Sequence, residues 1–102
     1  MAHPFNMRFD WDPAKDRANR VKHGLGFHEA KALFSSDVDY LEIFDETHSD
    51  EEERFIAIGP IGRGIVVVVY VERVEDVIRI ISARFATTRE RELFDKHVEG
   101  KP

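Results

Sequence analysis

Apolar residues follow two different periods along this chain. Between Asp12 and Gly24, Ala14, Ala18 and Val21 recur at spacings of four and three, which predicts a helix whose narrow apolar stripe faces a sheet. Asp12 is placed to cap its start, Pro13 fits the first helical position, and Gly24 marks its end. A strand over residues 7–11 is expected to lead into it. Phe27, Ala30, Leu33 and Phe34 share one side of a second short helix over residues 27–34. The period then shortens: residues 40–44, 54–58, 65–71 and 77–84 are rich in β-branched and aromatic types and are separated by acidic or glycine-containing turns, which predicts four consecutive strands. Short connections over 59–64 and 73–76 favour antiparallel neighbours. Ile65-Val66-Val67-Val68-Val69 does not alternate, so that strand is expected at the centre with both faces covered. Helices are expected to cover one face. The last helix, over residues 88–99, opens with Thr87 and Glu90 at capping-box spacing. The order β-α-α-β-β-β-β-α defines an α+β class with an antiparallel sheet of four to five strands packed by helices.

A chain of 102 residues fits one domain, expected over residues 7–99, with residues 1–6 as a flexible extension. The absence of cysteine removes disulfides, thiolate metal sites and a cysteine nucleophile, and it suits a reducing compartment. The longest apolar run is too short to span a bilayer and no signal pattern opens the chain, so the expected location is the cytoplasm, without a membrane partner.

The net charge of −5 argues against a nucleic-acid partner, but its distribution reverses the inference. Residues 35–56 hold nine acidic side chains against Arg54 alone, whereas residues 77–91 hold Arg79, Arg84, Arg89 and Arg91 against Glu90. With the positive lean of residues 7–31, this segregation allows a local basic surface for RNA on an acidic protein. The alternative is that these charges solvate helix faces.

Several side chains in these segments could carry chemistry. Lys15, Asn19, Lys22 and His23 share a helix face that combines cations, an amide and a titratable ring, a possible phosphate site or else a solvated surface. Arg79 and Arg84 offer planar forks suited to phosphate oxygens. Their positions differ in parity, so in a regular strand they point to opposite faces and share a groove only across a bulge. The competing role for them is pairing with carboxylates of residues 45–53. His48, in an acidic loop, suits general acid or base work, or loop ordering. The histidines at 3, 23, 28, 48 and 97 are too scattered for a metal-ligand motif, no Gly-x-Ser-x-Gly elbow occurs, and residues 59–64 lack the Lys-Ser/Thr of a phosphate loop. Neither a metal nor a cofactor is expected.

One ordered set of residues adds a further expectation. Phe9-Asp10-Trp11-Asp12-Pro13-Ala14-Lys15, Asn19, Lys22-His23-Gly24 and Phe27, then Asp45, His48-Ser49 and Glu53-Arg54-Phe55, then Arg79-Ile80-Ile81-Ser82-Ala83-Arg84, Ala86-Thr87, Glu90-Arg91 and Phe94 resemble the BrnT toxin family of BrnT/BrnA type II toxin–antitoxin systems. The resemblance runs over about residues 7–94 and implies a RelE-like fold and a metal-independent endoribonuclease that arrests translation and growth. It also implies a BrnA-like ribbon-helix-helix antitoxin as partner, with operator DNA met only through the antitoxin complex. For cleavage by the ribose 2′-OH, the chemistry assigns His23 and His48 as acid–base candidates. Arg79 and Arg84 would carry phosphate charge, and Glu53 would orient a histidine or pair with an arginine. Lys15, Lys22, Asn19, Arg89 and Arg91 would bind RNA phosphates. The alternative is a non-catalytic module that docks an antitoxin or regulator through the acidic stretch.

Overall fold

In the computed structural model, which describes residues 7–35, 39–46 and 52–100, a five-stranded sheet is formed by β1 (Arg8–Asp10), β2 (Leu41–Asp45), β3 (Arg54–Ile61), β4 (Gly64–Arg73) and β5 (Val77–Phe85), in the order β1-β5-β4-β3-β2. Neighbours from β2 to β5 are antiparallel, as the short connections require. The short β1 pairs with β5 in parallel, so the sheet is mixed. The non-alternating valines lie on the central strand, with Val66, Val67 and Val68 all buried.

Helices cover both faces, where the sequence pattern suggested one. On one face α1 (Pro13–His23), α2 (Phe27–Ala30) and α3 (Ala32–Ser35) lie against a core of Leu25, Phe27, Leu33, Val66, Val68, Tyr70, Ile78 and Ile80. The predicted second helix is thus two single turns parted at Lys31. On the other face α4 (Thr88–Glu99) seats Phe94 against Ile58, Val67 and Ala86. Its capping box forms as expected, with Thr87 Oγ1 accepting from the Glu90 N–H and Glu90 accepting from the Thr87 N–H.

The predicted apolar stripe of α1 is reversed. Ala14 and Ala18 are exposed and Val21 is 88 % exposed, while the buried residue of the helix is Asn19. Its amide donates to Leu25 C=O at 2.7 Å and to Ala83 C=O at 2.7 Å, and accepts from Ala83 N–H at 3.2 Å. β1 reaches only as far as Arg79 on β5, so the next stretch of the β5 edge would leave its peptide groups bare. The carboxamide has the donor and acceptor of a peptide unit and closes that edge in place of a strand. Polarity, not apolar area, therefore fixes which side of α1 faces inward.

The β4–β5 hairpin turns through a 3-10 segment, Val74–Asp76, in which Glu75 and Asp76 adopt φ of 63° and 61°. Side chains with a Cβ are strained in this left-handed region. The β3–β4 hairpin is tighter than the predicted 59–64 loop, with Ile61 pairing Gly64 across Gly62 and Arg63. Gly59 lies inside β3 because a Cβ there would come within 2.6 Å of Leu33 Cδ1 and 2.8 Å of Tyr40 Cβ.

Asn19→Ala leaves three buried backbone groups unpaired, and we expect it to lower unfolding free energy by roughly 2–4 kcal/mol in urea titration. Replacing Glu75-Asp76 by Asn-Gly suits the turn conformation and should raise it by roughly 1 kcal/mol in the same assay.

Candidate functional site

The strand register decides where the arginines of β5 point. Val69 pairs with Ser82 and Tyr70 with Ile80, so Ile81 is an extra residue, a bulge in β5. Arg79 pairs with Val71 and Arg84 with Val67. Those valines are four residues apart on β4, an even separation, so the bulge puts both arginines on one sheet face. The spacing between their Cα positions along the sheet is about 13 Å at ordinary strand rise. Ser82, opposite Val69, lies between them on the same face.

This is the α4 face, and α4 occupies one end of it. Its Phe94 packs over the row Leu41, Ile58 and Val67, which continues to Arg84. Four residues further along β2, β3 and β4, and five along the bulged β5, a second row crosses the whole sheet: Asp45, Arg54, Val71, Arg79 and Asp10. Arg79 Nη1 bonds Asp10 Oδ2 at 2.7 Å. Arg84 makes a two-pronged pair with Glu90, Nη1 to Oε1 at 2.7 Å and Nη2 to Oε2 at 2.8 Å. The Arg84 fork, its backbone-capping partner and the α4 N-terminus thus hold the guanidinium in one orientation, while 41 % of the side chain stays exposed. Among the described residues the partners of these arginines are Asp10 and Glu90, while residues 47–51 of the acidic stretch that the sequence suggested lie outside the described residues.

The Arg84 guanidinium beside Glu90, helped by the Thr87 N–H, holds the Glu90 carboxyl down to about 2 despite partial burial, and Arg84 is correspondingly pushed up. On the opposite face, burial pushes the Tyr70 hydroxyl far above its ordinary range, and its bond to Glu42 adds to this. Tyr70 therefore stays a protonated donor to Glu42.

The other sequence-selected residues are dispersed. Lys15 and Lys22 are exposed on α1, and His23 is partly buried at its end, one turn beyond Asn19. Asn19 is a correction: its amide is consumed by Leu25 and Ala83, and it cannot also serve a phosphate. Arg89 and Arg91 are exposed in the first turn of α4, where Arg91 donates to Thr88 Oγ1 at 3.3 Å. Glu53 is exposed just before β3. His48 and residues 1–6 lie outside the described residues. Ser82 and Arg54 join the arginine face although the sequence did not single them out for it, because their placement depends on register across strands. Among the described residues no three His, Asp or Glu side chains converge in a way that could hold a metal, and no helix is long and apolar enough to cross a membrane.

An α+β domain with two oriented guanidinium groups and a hydroxyl on one sheet face carries the side-chain types that arginine-fork recognition of phosphate uses. Residues 11–90 match the family described as ribonuclease toxin, BrnT, of type II toxin-antitoxin system, and the chain belongs to that family. A similar solved structure is the Brucella abortus ribonuclease toxin BrnT, at 28 % identity and a TM-score of 0.61, covering 81 % of this chain and 100 % of that one. The comparison with curated proteins gave no match. The protein is thus an endoribonuclease toxin of a type II toxin–antitoxin system, with an antitoxin as its partner; the non-catalytic docking module is not favoured.

Protonating Glu90 breaks the Arg84 pair. Because its folded value lies below the ordinary 4.5, its stabilisation is complete above that pH and is lost as pH falls towards about 2. We expect wild type to lose on the order of 2–3 kcal/mol more than Glu90→Gln over this window, read by thermal unfolding at stepped pH.

Proposed function

We propose that the chain cleaves RNA without a metal, by attack of a ribose 2′-OH on the adjacent phosphodiester, on the sheet face that carries Arg79, Ser82 and Arg84. The observation that carries this reading is the Ile81 bulge, which turns two arginines of opposite parity onto one face. Charge on the phosphorane-like transition state grows on the non-bridging oxygens, and cations already held in place stabilise it without reorganising. Arg84 is held by Glu90 and Arg79 by Asp10. Arg54, two strands from Arg79 in the same row, adds a third cation to the track.

His23 and His48 are the acid–base pair in this proposal, one accepting the 2′-OH proton and the other protonating the 5′-oxygen leaving group. His23 ends α1, which packs on the opposite sheet face but borders the β5 edge through Asn19, so the RNA must pass that edge to meet both His23 and the arginines. Glu53 orients one of them. Lys15, Lys22, Arg89 and Arg91, exposed on the two helices, bind flanking phosphates. The partner is a BrnA-like ribbon-helix-helix antitoxin, operator DNA is met only through the complex, and the site of action is the cytoplasm, where arrested translation stops growth. Residues 7–99 form the toxin domain.

Purified protein is expected to cut RNA in EDTA, leaving a 2′,3′-cyclic phosphate. Arg79→Ala and Arg84→Ala should each lower the cleavage rate by roughly 10²–10³-fold, and His23→Ala should flatten its pH profile. Arg73→Ala, which removes only an exposed pair with Glu52, should leave the rate unchanged. Full cleavage by folded His23→Ala and Arg84→Ala proteins would overturn the assignment, and cleavage abolished by EDTA would replace it with a metal-dependent one.

A further inference from the structure

The two rims of the sheet are built differently. At one, β1 is three residues long and the remaining β5 edge is closed by Asn19. At the other, β2 ends the strand order and, among the described residues, pairs with β3 alone. Alternate N–H and C=O groups of a terminal strand point away from its sheet. The central side chains of β2, Ile43 and Phe44, are 38 % and 43 % exposed, and successive residues of a strand fall on opposite faces. This rim therefore offers both backbone hydrogen bonds and apolar area.

Its charge selects what can use them. Residues 39–46 contain Asp39, Glu42, Asp45 and Glu46 and no lysine or arginine. A second copy pairing β2 to β2 would set these carboxylates against one another, and RNA phosphates are repelled for the same reason. An extended segment rich in lysine or arginine meets the rim with opposite charge and completes its hydrogen bonding. We propose that β2 is the docking edge for a basic extended segment of the antitoxin, which adds to the sheet as a sixth strand. This rests on the chain being a type II toxin. The edge also begins the row that runs through Asp45, Arg54, Val71 and Arg79. A partner anchored there reaches Arg79 across three strand spacings, about 14 Å, a span of five or so extended residues. Docking at the rim and covering of the arginine face can therefore be done by one continuous segment.

The test is amide hydrogen exchange on the full chain with and without its purified antitoxin, together with binding by the variant Ile43→Lys/Glu46→Lys. We expect slowed exchange within residues 41–45 on complex formation, affinity at least tenfold lower for the variant, and wild-type affinity that falls as salt rises from 50 to 500 mM. Glu46→Lys alone changes an exposed side chain and is expected to weaken binding by twofold or more, which keeps the test decisive if the double variant does not fold. Unchanged exchange in β2, or full affinity of a folded variant, overturns the proposal. So does concentration-dependent dimerisation of the free chain that Ile43→Lys abolishes, because the edge then belongs to a second copy. Tighter RNA binding by Glu46→Lys with no effect on the antitoxin also overturns it. RNA cleavage by the chain carrying Glu46→Lys alone reads the catalytic proposal separately, since Glu46 lies beyond the end of β2 and outside the row that carries the arginines.

Discussion

The carboxamide of Asn19 is the constraint on which the rest of the arrangement depends. One side chain ties α1 to the turn that follows it, through Leu25, and to β5, through both peptide groups of Ala83. The strand it closes is the one that carries Arg79, Ser82 and Arg84. Asn19 meets Ala83, two residues beyond Ile81, on the β5 edge that β1 leaves open. A helix residue thus closes the strand just beyond the irregularity that brings the arginines together. Arg63 makes a comparable link at the other end of the same loop, donating to Gly24 C=O and to both carboxylate oxygens of Glu29.

Ion pairing on the arginine face has a double character. Glu90 caps α4 and clamps Arg84 with the same carboxylate, so helix termination and guanidinium orientation are one interaction. A fork already held along one edge by a carboxylate has lost its rotamer freedom in advance, which is what the proposed phosphate contact would draw on. Asp10 does the same for Arg79 from a neighbouring strand.

Much of this was legible in the chain. The strand periods, the central position of Ile65–Val69, the Asp12 cap and the Thr87–Glu90 box depend on local chemistry, and each formed where the residues placed it. Family membership was also legible, because ordered motifs along the chain carry it. The misplaced elements depend on distant partners. Ala14, Ala18 and Val21 have helical spacing but modest apolar area, and the three hydrogen bonds of Asn19 outweigh them in setting the helix's rotation. The parallel pairing of β1 with β5 joins residues far apart in sequence. The parity of Arg79 and Arg84 stated the need for a bulge without locating it. Ser82 and Arg54 enter the face through register alone, which no single segment encodes.

The parallel pairing of the first strand also bears on the order of assembly. Phe9 lies beside Ile78, so the N-terminal strand has nowhere to dock until nearly all of the chain exists. Asn19 waits on Ala83 in the same way, and Arg84 on Glu90. Contacts of such high sequence separation form late and slowly, because the loop must be closed before they repay it. On a translating ribosome the helices and the β2–β4 meander can gather first, but the arginine face is completed only when the last helix emerges. An unfinished copy of this toxin therefore lacks the arginine face until residues 88–99 have been made and have packed.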